Sequence, residues 1–183
     1  MSVDRAERER ADRERAEREA DADARALASV LRLRILRLCL DEPLTNKEIA
    51  DRLGRDPGTT LHHVRRLAER GFLQAQPARR GARGAKEIPY LATGKSFRTP
   101  VPGAAHLLVS TFLEEFAEVE DPEQAMIGRV GVRLGRAAYD ELHERIGALL
   151  TELADREPDP DGTPYSVFVV VHEDAARQRR DAR

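Results

Sequence analysis

The sequence is poor in the residues from which disulfide frameworks, metal clusters and stacking surfaces are built. It has one cysteine, Cys39, no tryptophan, and only 4% aromatic residues among 183. A single cysteine excludes an internal disulfide, a cysteine-based zinc finger and an iron–sulfur centre. The scarcity of aromatics argues against a stacking platform for sugars or single-stranded nucleic acid. No apolar run approaches the roughly 18 residues of a membrane span, and the first residues are charged rather than signal-like, so we expect a soluble, cytoplasmic protein with no membrane partner.

Motifs of the common enzyme classes are also missing. No GxSxG, HExxH or GxGxxG pattern occurs in the chain. Gly94-Lys95-Ser96 is similar to the end of a phosphate-binding loop, but the loop's first glycine would fall at Pro89. We therefore predict that the protein is not an enzyme and that it has no catalytic residues, metal ligands or cofactor. No set of cofactor-binding residues can be identified.

Charge is distributed unevenly along the chain. Residues 27–103 contain 15 Lys and Arg against 7 Asp and Glu, whereas residues 104–183 contain 9 Arg against 17 acids. A basic middle followed by an acidic end is typical of a nucleic-acid-binding module joined to a different module.

The first 25 residues are nearly all Arg, Glu, Asp and Ala. Acid–arginine pairs at i,i+4, such as Glu9/Arg13, favour a helix, but only alanines interrupt the charges, so a coiled coil is not indicated. We predict a solvated, charged helical extension, with disorder as the alternative. It has either no specific role or a contact with DNA or a partner.

Residues 26–99 have the pattern of two short helices followed by a hairpin. Thr45 and Glu48 form a capping box that begins a helix, and Gly54 fits its left-handed end. Asp56 and Pro57 then begin a second helix, predicted over residues 57–70. Strands are expected over 72–76 and 86–91, with Pro89 implying an edge position, and a basic loop joins them. The predicted fold class is mainly α with small β, with a winged helix-turn-helix domain in this region.

The second helix has the side chains that a helix in the DNA major groove requires. One side is apolar, and the other is small or polar near its N-terminus. The basic loop, residues 77–86, suits the phosphate backbone or the minor groove. The predicted DNA-binding residues are Thr45, Lys47, Pro57, Gly58, Thr59, His62, His63, Arg65, Arg66, Arg79, Arg80, Arg83 and Lys86.

Residues 104–173 form a second predicted domain, helical with one C-terminal strand over residues 165–171. Apolar residues at helical spacing make it a dimerisation unit, a pocket for a small-molecule effector, or both. Glycines at 128, 131 and 135 argue against one continuous helix from 123 to 156. Residues 174–183 are predicted to be a disordered tail.

Three blocks, residues 32–38, 44–50 and 56–73, resemble the first core helix, the next helix and the recognition helix of ArsR-type winged-helix repressors. The likeness covers roughly residues 26–97 and includes the His62-His63 pair. It implies a homodimeric bacterial transcription regulator on an inverted-repeat operator. The Cys-x-Cys pair of metal-sensing members is missing, which fits the prediction of no metal.

The predicted function is therefore sequence-specific binding to double-stranded DNA, as a homodimeric regulator and more specifically a repressor. The alternative is a winged-helix module that binds a protein partner instead of DNA.

Overall fold

Helices make up most of the chain, and its few strands are short and antiparallel, which confirms the predicted fold class. The computed structural model describes residues 2–81 and 84–178. It divides the chain into two units, residues 1–118 and residues 119–183. The first unit holds the helix-turn-helix, the strands and the buried core.

The first unit contains six helices and five strands within the described residues. The helices are α1 (Ser2–Leu27), α2 (Val30–Leu38), α3 (Asn46–Leu53), α4 (Pro57–Glu69), α5 (Lys95–Arg98) and α6 (Ala105–Phe116). The strands are β1 (Leu44–Thr45), β2 (Leu73–Ala75), β3 (Arg79–Arg80), β4 (Lys86–Glu87) and β5 (Pro89–Ala92). Strands β1, β5 and β2 form one sheet in that order, and β3 pairs with β4 in a second.

The edge position predicted for the strand with Pro89 is wrong. Strand β5 lies between β1 and β2, with Thr45 opposite Pro89 and Tyr90 paired on both sides. Pro89 is the first residue of β5, a position that tolerates the missing N–H. Its carbonyl still accepts a hydrogen bond from the Gln76 N–H, at 2.8 Å.

The helix ends follow the local sequence signals. The Thr45 hydroxyl accepts a hydrogen bond from the Glu48 N–H, and the Glu48 carboxylate accepts one from the Thr45 N–H at 2.8 Å, so the capping box is complete. Gly54 ends α3 in the left-handed region, at φ +59°. The Asp56 carboxylate accepts from the Thr59 N–H at 2.9 Å and begins α4. These contacts confirm the predicted starts of both helices.

The core joins α2, α3, α4 and the sheet. Ile35, Ile49, Val64, Leu67 and Phe72 are each at most 1% exposed, and burying a side chain of this size contributes about 1.5–3 kcal/mol. Helix α6 packs against α2. The buried side of α4 packs against α1, α2, α3 and β2.

The second unit has a 3-10 helix (Pro122–Gln124), α7 (Arg136–Ala154) and α8 (Ala175–Gln178). Helix α7 begins directly after Gly135, which agrees with the argument against a continuous helix. None of the described residues from 119 to 178 is buried. No described helix combines the length and apolarity of a membrane span.

The predicted C-terminal strand is wrong. Residues 165–171 have the β-branched composition of a strand, but they form no strand and belong to neither of the two sheets of the described residues. Propensity alone does not make a strand, since the backbone groups need a partner strand. Of the predicted disordered tail, residues 175–178 form α8, and residues 179–183 lie outside the described residues.

Candidate nucleic-acid interface

Helix α4 has one buried side and one exposed side. Thr60, Val64 and Leu67 are fully buried. The opposite side, which we call the recognition face, exposes Pro57, Gly58, Thr59, His62, Arg65 and Arg66, and half-exposes His63. Small and uncharged residues stand at its N-terminal end and cations further along. The helix therefore presents the predicted contact residues outward and anchors itself through the other side.

The start of α4 is tied to the start of α3. The Asn46 side-chain amide donates a hydrogen bond to the Pro57 carbonyl, at 2.8 Å. This bond connects the first residues of the two helices and so helps to fix the angle between them. The sequence offered no local signal for it, because the two residues are eleven positions apart and Asn46 reads only as a helix start.

His63 contacts α2 as well as standing on the recognition face. Its Nδ1 atom lies 3.4 Å from a terminal guanidinium nitrogen of Arg32. Burial, the charge of Arg32 and the neighbouring His62 all lower the pKa of His63 below its ordinary 6.5. The rings of His62 and His63 meet edge to face, with centroids 5.6 Å apart. His63 is therefore neutral at pH 7, with one nitrogen donating and the other accepting.

The paired strands β3 and β4 form the wing. Arg80 stands opposite Lys86, and both side chains are exposed with no ion pair to a described residue. Arg79 instead forms a salt bridge with Glu48, at 2.5 Å, which ties the wing to α3. The sequence predicts Arg79 only as a contact to the phosphate backbone or the minor groove and gives no signal for this pair. Arg83 lies outside the described residues.

Two further predicted contacts lie at the start of α3. Thr45 is 3% exposed, and its hydroxyl is committed to the capping box. Lys47 is exposed and bridges to Asp51 at 2.6 Å, and that hydrogen bond raises the pKa of Lys47. Thr45 thus stabilises the start of α3, whereas Lys47 presents a cation to solvent in the first turn of the same helix.

An ion cluster around the buried Asp23 joins α1 to the rest of the unit. The Asp23 carboxylate lies 2.6 Å from the Arg70 Nε and 2.5 Å from the Lys95 Nζ. Burial opposes the ionisation of Asp23, but the hydrogen bonds and charges of Lys95 and Arg70 outweigh it and lower its pKa. Ala26 and Leu27 are buried in the core beyond it. The solvated extension predicted from the sequence does not include this cluster, and no local residue pattern indicates it, because Asp23 lies far along the chain from both Arg70 and Lys95.

No group of three His, Cys, Asp or Glu side chains within residues 2–81 and 84–178 is arranged to hold a metal ion. Cys39 is fully buried, and that burial raises its pKa to about 12. Its thiol therefore stays protonated at neutral pH and acts as a packing group.

Comparison with known proteins supports the fold assignment of the first unit. Residues 31–74 match the family described as winged helix-turn-helix DNA-binding. No curated protein matches the sequence.

Solved structures of similar shape include reduced HlyU from Vibrio cholerae, with 18% identity, 60% of this chain and 98% of that one covered, and a TM-score of 0.37. The transcriptional regulator SlyA has 15% identity, covers 85% and 96% of the two chains, and has a TM-score of 0.36. The S. aureus MepR–DNA complex has 15% identity, 79% and 96% coverage, and a TM-score of 0.33. At such values the likeness is one of partial shape, and nothing about the function of this chain follows from it.

Proposed function

We propose that this protein is a transcriptional regulator that binds double-stranded DNA in a sequence-specific manner. The observation that carries the proposal is the recognition face, an exposed polar side on a helix whose other side is fixed in the core. The match of residues 31–74 to a winged helix-turn-helix DNA-binding family supports it independently. In the proposed complex α4 lies in the major groove.

The side chains divide by chemistry into two proposed roles. Thr59, His62 and Arg66 face base edges, because hydroxyl, imidazole and guanidinium groups distinguish the donors and acceptors of the major groove. Arg65, Arg80 and Lys86 contact phosphates, and so does Lys47 from α3. Arg79 contributes through its bridge to Glu48, which sets the position of the wing.

We further propose a homodimer that acts as a repressor at an inverted-repeat operator. Large apolar side chains are exposed on α6, including Leu108 at 46% and Leu113 at 57%. Exposed apolar groups on one helix are typical of an interface. A two-fold axis would place two α4 helices about one DNA turn apart.

The test is DNA binding by the full-length protein across a salt series. The probes are duplex from the protein's own upstream region and a scrambled duplex of equal length and composition. We expect a preference of about 10³ or more for the native duplex, and affinity that falls steeply with salt.

The wing is tested by the double substitution Arg80→Ala and Lys86→Ala. Loss of two phosphate contacts would reduce the slope of log affinity against log salt by about 2 and weaken both duplexes alike. The matched control, Arg145→Ala with Arg156→Ala, removes the same charge from exposed positions on and just after α7. An equal effect of both double variants, or no binding to either duplex at low salt, would favour a winged-helix module that binds a protein partner.

A further inference from the structure

Arg32 extends from α2 to the end of α1. Its Nε donates to the Ala26 carbonyl, and one terminal nitrogen lies 3.0 Å from the Arg25 carbonyl and 3.4 Å from that of Ala28. The last carbonyls of a helix lack partners within the helix and carry partial negative charge, so a guanidinium suits them. Three acceptors therefore hold the Arg32 side chain in place, two in the last turn of α1 and one just after it.

The remaining terminal nitrogen of Arg32 faces His63 of α4, with Nδ1 at 3.4 Å. A guanidinium carries only donors and stays charged at any physiological pH. Nδ1 must therefore be the acceptor in this contact, and the ring proton must be on Nε2. Within residues 2–81 and 84–178 no hydrogen bond to Nε2 is found, so this N–H is the donor that His63 has left for another molecule.

We propose that Arg32 is a positioning residue of the recognition face: it fixes His63 as the Nε2–H tautomer, so that His63 offers a hydrogen-bond donor and selects an acceptor on the DNA. This inference rests on the proposed function. The acceptors available in the major groove are N7 and O6 of guanine, N7 of adenine and O4 of thymine. A phosphate oxygen has the same chemistry, and the experiment below distinguishes base from phosphate.

The groups around His63 support this assignment. Arg32 of α2 and His62 of α4 are the charged or titratable neighbours that act on it, and Arg66 of α4 acts in turn on Arg32. All are cationic or neutral, and α1 adds only the carbonyls that hold Arg32. Protonation of His63 would put a donor at Nδ1 against a donor of Arg32, so the contact itself opposes it.

The first test measures the tautomer directly in the free, uniformly ¹⁵N-labelled full-length protein. Long-range ¹H–¹⁵N spectra report which ring nitrogen carries the proton, and His63→Ala identifies the signal. We expect the Nε2–H form at pH 7 and a pKa below 6.5. In Arg32→Met we expect a mixture of tautomers and a pKa that moves up toward 6.5.

Two further variants control for a change in folding. Arg37→Met removes another arginine of α2, one that pairs with Glu115 on α6 instead of His63, and should leave the His63 signals unchanged. Arg32→Lys keeps the positive charge but lacks the guanidinium fork, so we expect it also to give a mixture of His63 tautomers. An Nδ1–H form in the unsubstituted protein, or wild-type signals in both Arg32 variants, would overturn the proposal.

The second test measures DNA binding by the same variants. We expect Arg32→Met to lose about tenfold in affinity for the preferred duplex, and the double variant Arg32→Met/His63→Ala to bind no worse than His63→Ala alone. A loss confined to one base position identifies a base acceptor, and an equal loss on the scrambled duplex identifies a phosphate. If the losses of affinity in Arg32→Met and His63→Ala were additive in the double variant, the coupling would be overturned. Unchanged DNA binding by an Arg32 variant that shows a mixture of His63 tautomers would overturn it too. If the unsubstituted protein binds no DNA, the proposed function fails while the tautomer result stands.

Discussion

At the scale of residues, the recognition face combines two kinds of group. Thr59 and His62 are exposed and able to donate and accept hydrogen bonds. Arg65 is exposed and carries a fixed charge. A phosphate is the same at every position of a duplex, whereas a base edge is not. Removing a phosphate contact should therefore lower the affinity for all sequences, and removing a base contact should change the sequence preference.

We expect Thr59→Ala and His62→Ala to change sequence preference, each by about 1–3 kcal/mol at one base position. Arg65→Ala should weaken binding to all duplexes by a similar factor and reduce the salt slope by about 1. The measurement is competition binding with duplexes that differ from the preferred one by single base pairs. Uniform loss in all three variants would contradict the assignment of base-reading roles.

At the scale of elements, α1 is docked through a few contacts at its C-terminal end. Asp23 pairs with Arg70, which follows α4, and with Lys95 at the start of α5. The Lys95 ammonium also lies 4.6 Å from the centre of the Phe72 ring. One carboxylate therefore connects three helices, while residues 7–20 of α1 stay exposed.

We expect Asp23→Asn to lower the free energy of unfolding by on the order of 2 kcal/mol at pH 7, because two cations lose a charged hydrogen-bond acceptor. The folded-state pKa of Asp23 lies below its ordinary 3.8. Its stabilisation is therefore present above pH 3.8 and is lost as pH falls through the folded value. Urea unfolding should show the difference between the two proteins at pH 7 and a smaller one near pH 3. The exposed carboxylate Asp12 supplies the control substitution, Asp12→Asn.

The turn between α3 and α4 depends on backbone conformation. Gly54 has φ +59°, and an added Cβ would have nothing within 4 Å, so only the left-handed conformation opposes a side chain there. We expect Gly54→Ala to destabilise the first unit by about 1 kcal/mol. Gly147, within α7, also has open space around an added Cβ but a helical backbone, so Gly147→Ala should not destabilise the protein. Thermal unfolding followed by circular dichroism compares the two, and equal destabilisation would contradict this account.

At the scale of the whole molecule, apolar surface is concentrated in the acidic half. Met126, Ile127 and Val130 are each at least 74% exposed, and none of the described residues from 119 to 178 is buried. Monomeric proteins rarely leave so much apolar area in water. These side chains are apolar surface that the proposed homodimer would cover.

We expect the full-length protein to sediment as a dimer at micromolar concentration, and Leu113→Glu on α6 to shift it toward monomer, because burying the new charge would be costly. His106→Glu adds a similar charge at an exposed polar position of the same helix and should leave the dimer intact. Analytical ultracentrifugation distinguishes the cases. A wild-type monomer at this concentration would contradict the proposed homodimer.

Local signals in the sequence were sufficient for much of the first unit. The Thr45–Glu48 box, the Asp56-Pro57 start and Gly54 act within one helical turn, so they determined where α3 and α4 begin and end. The 3.6-residue period of the apolar residues determined which side of α4 is buried. Both are short-range effects, and the structure confirms them.

The tertiary structure alone decided which distant groups meet. The partners of Asp23 and Arg79 lie between 31 and 72 positions away along the chain, and the partner of Asn46 lies 11 positions away. No residue pattern encodes such contacts, because they depend on how the elements pack. The same reason explains the two wrong predictions. Strand β5 is central because β1 pairs with it, and residues 165–171 form no strand because they join neither of the two described sheets. Arg32 and His63 are the clearest example. The sequence places a histidine on the recognition face, and in the proposed tautomer the packing of α1 and α2 decides which of its ring nitrogens carries the proton.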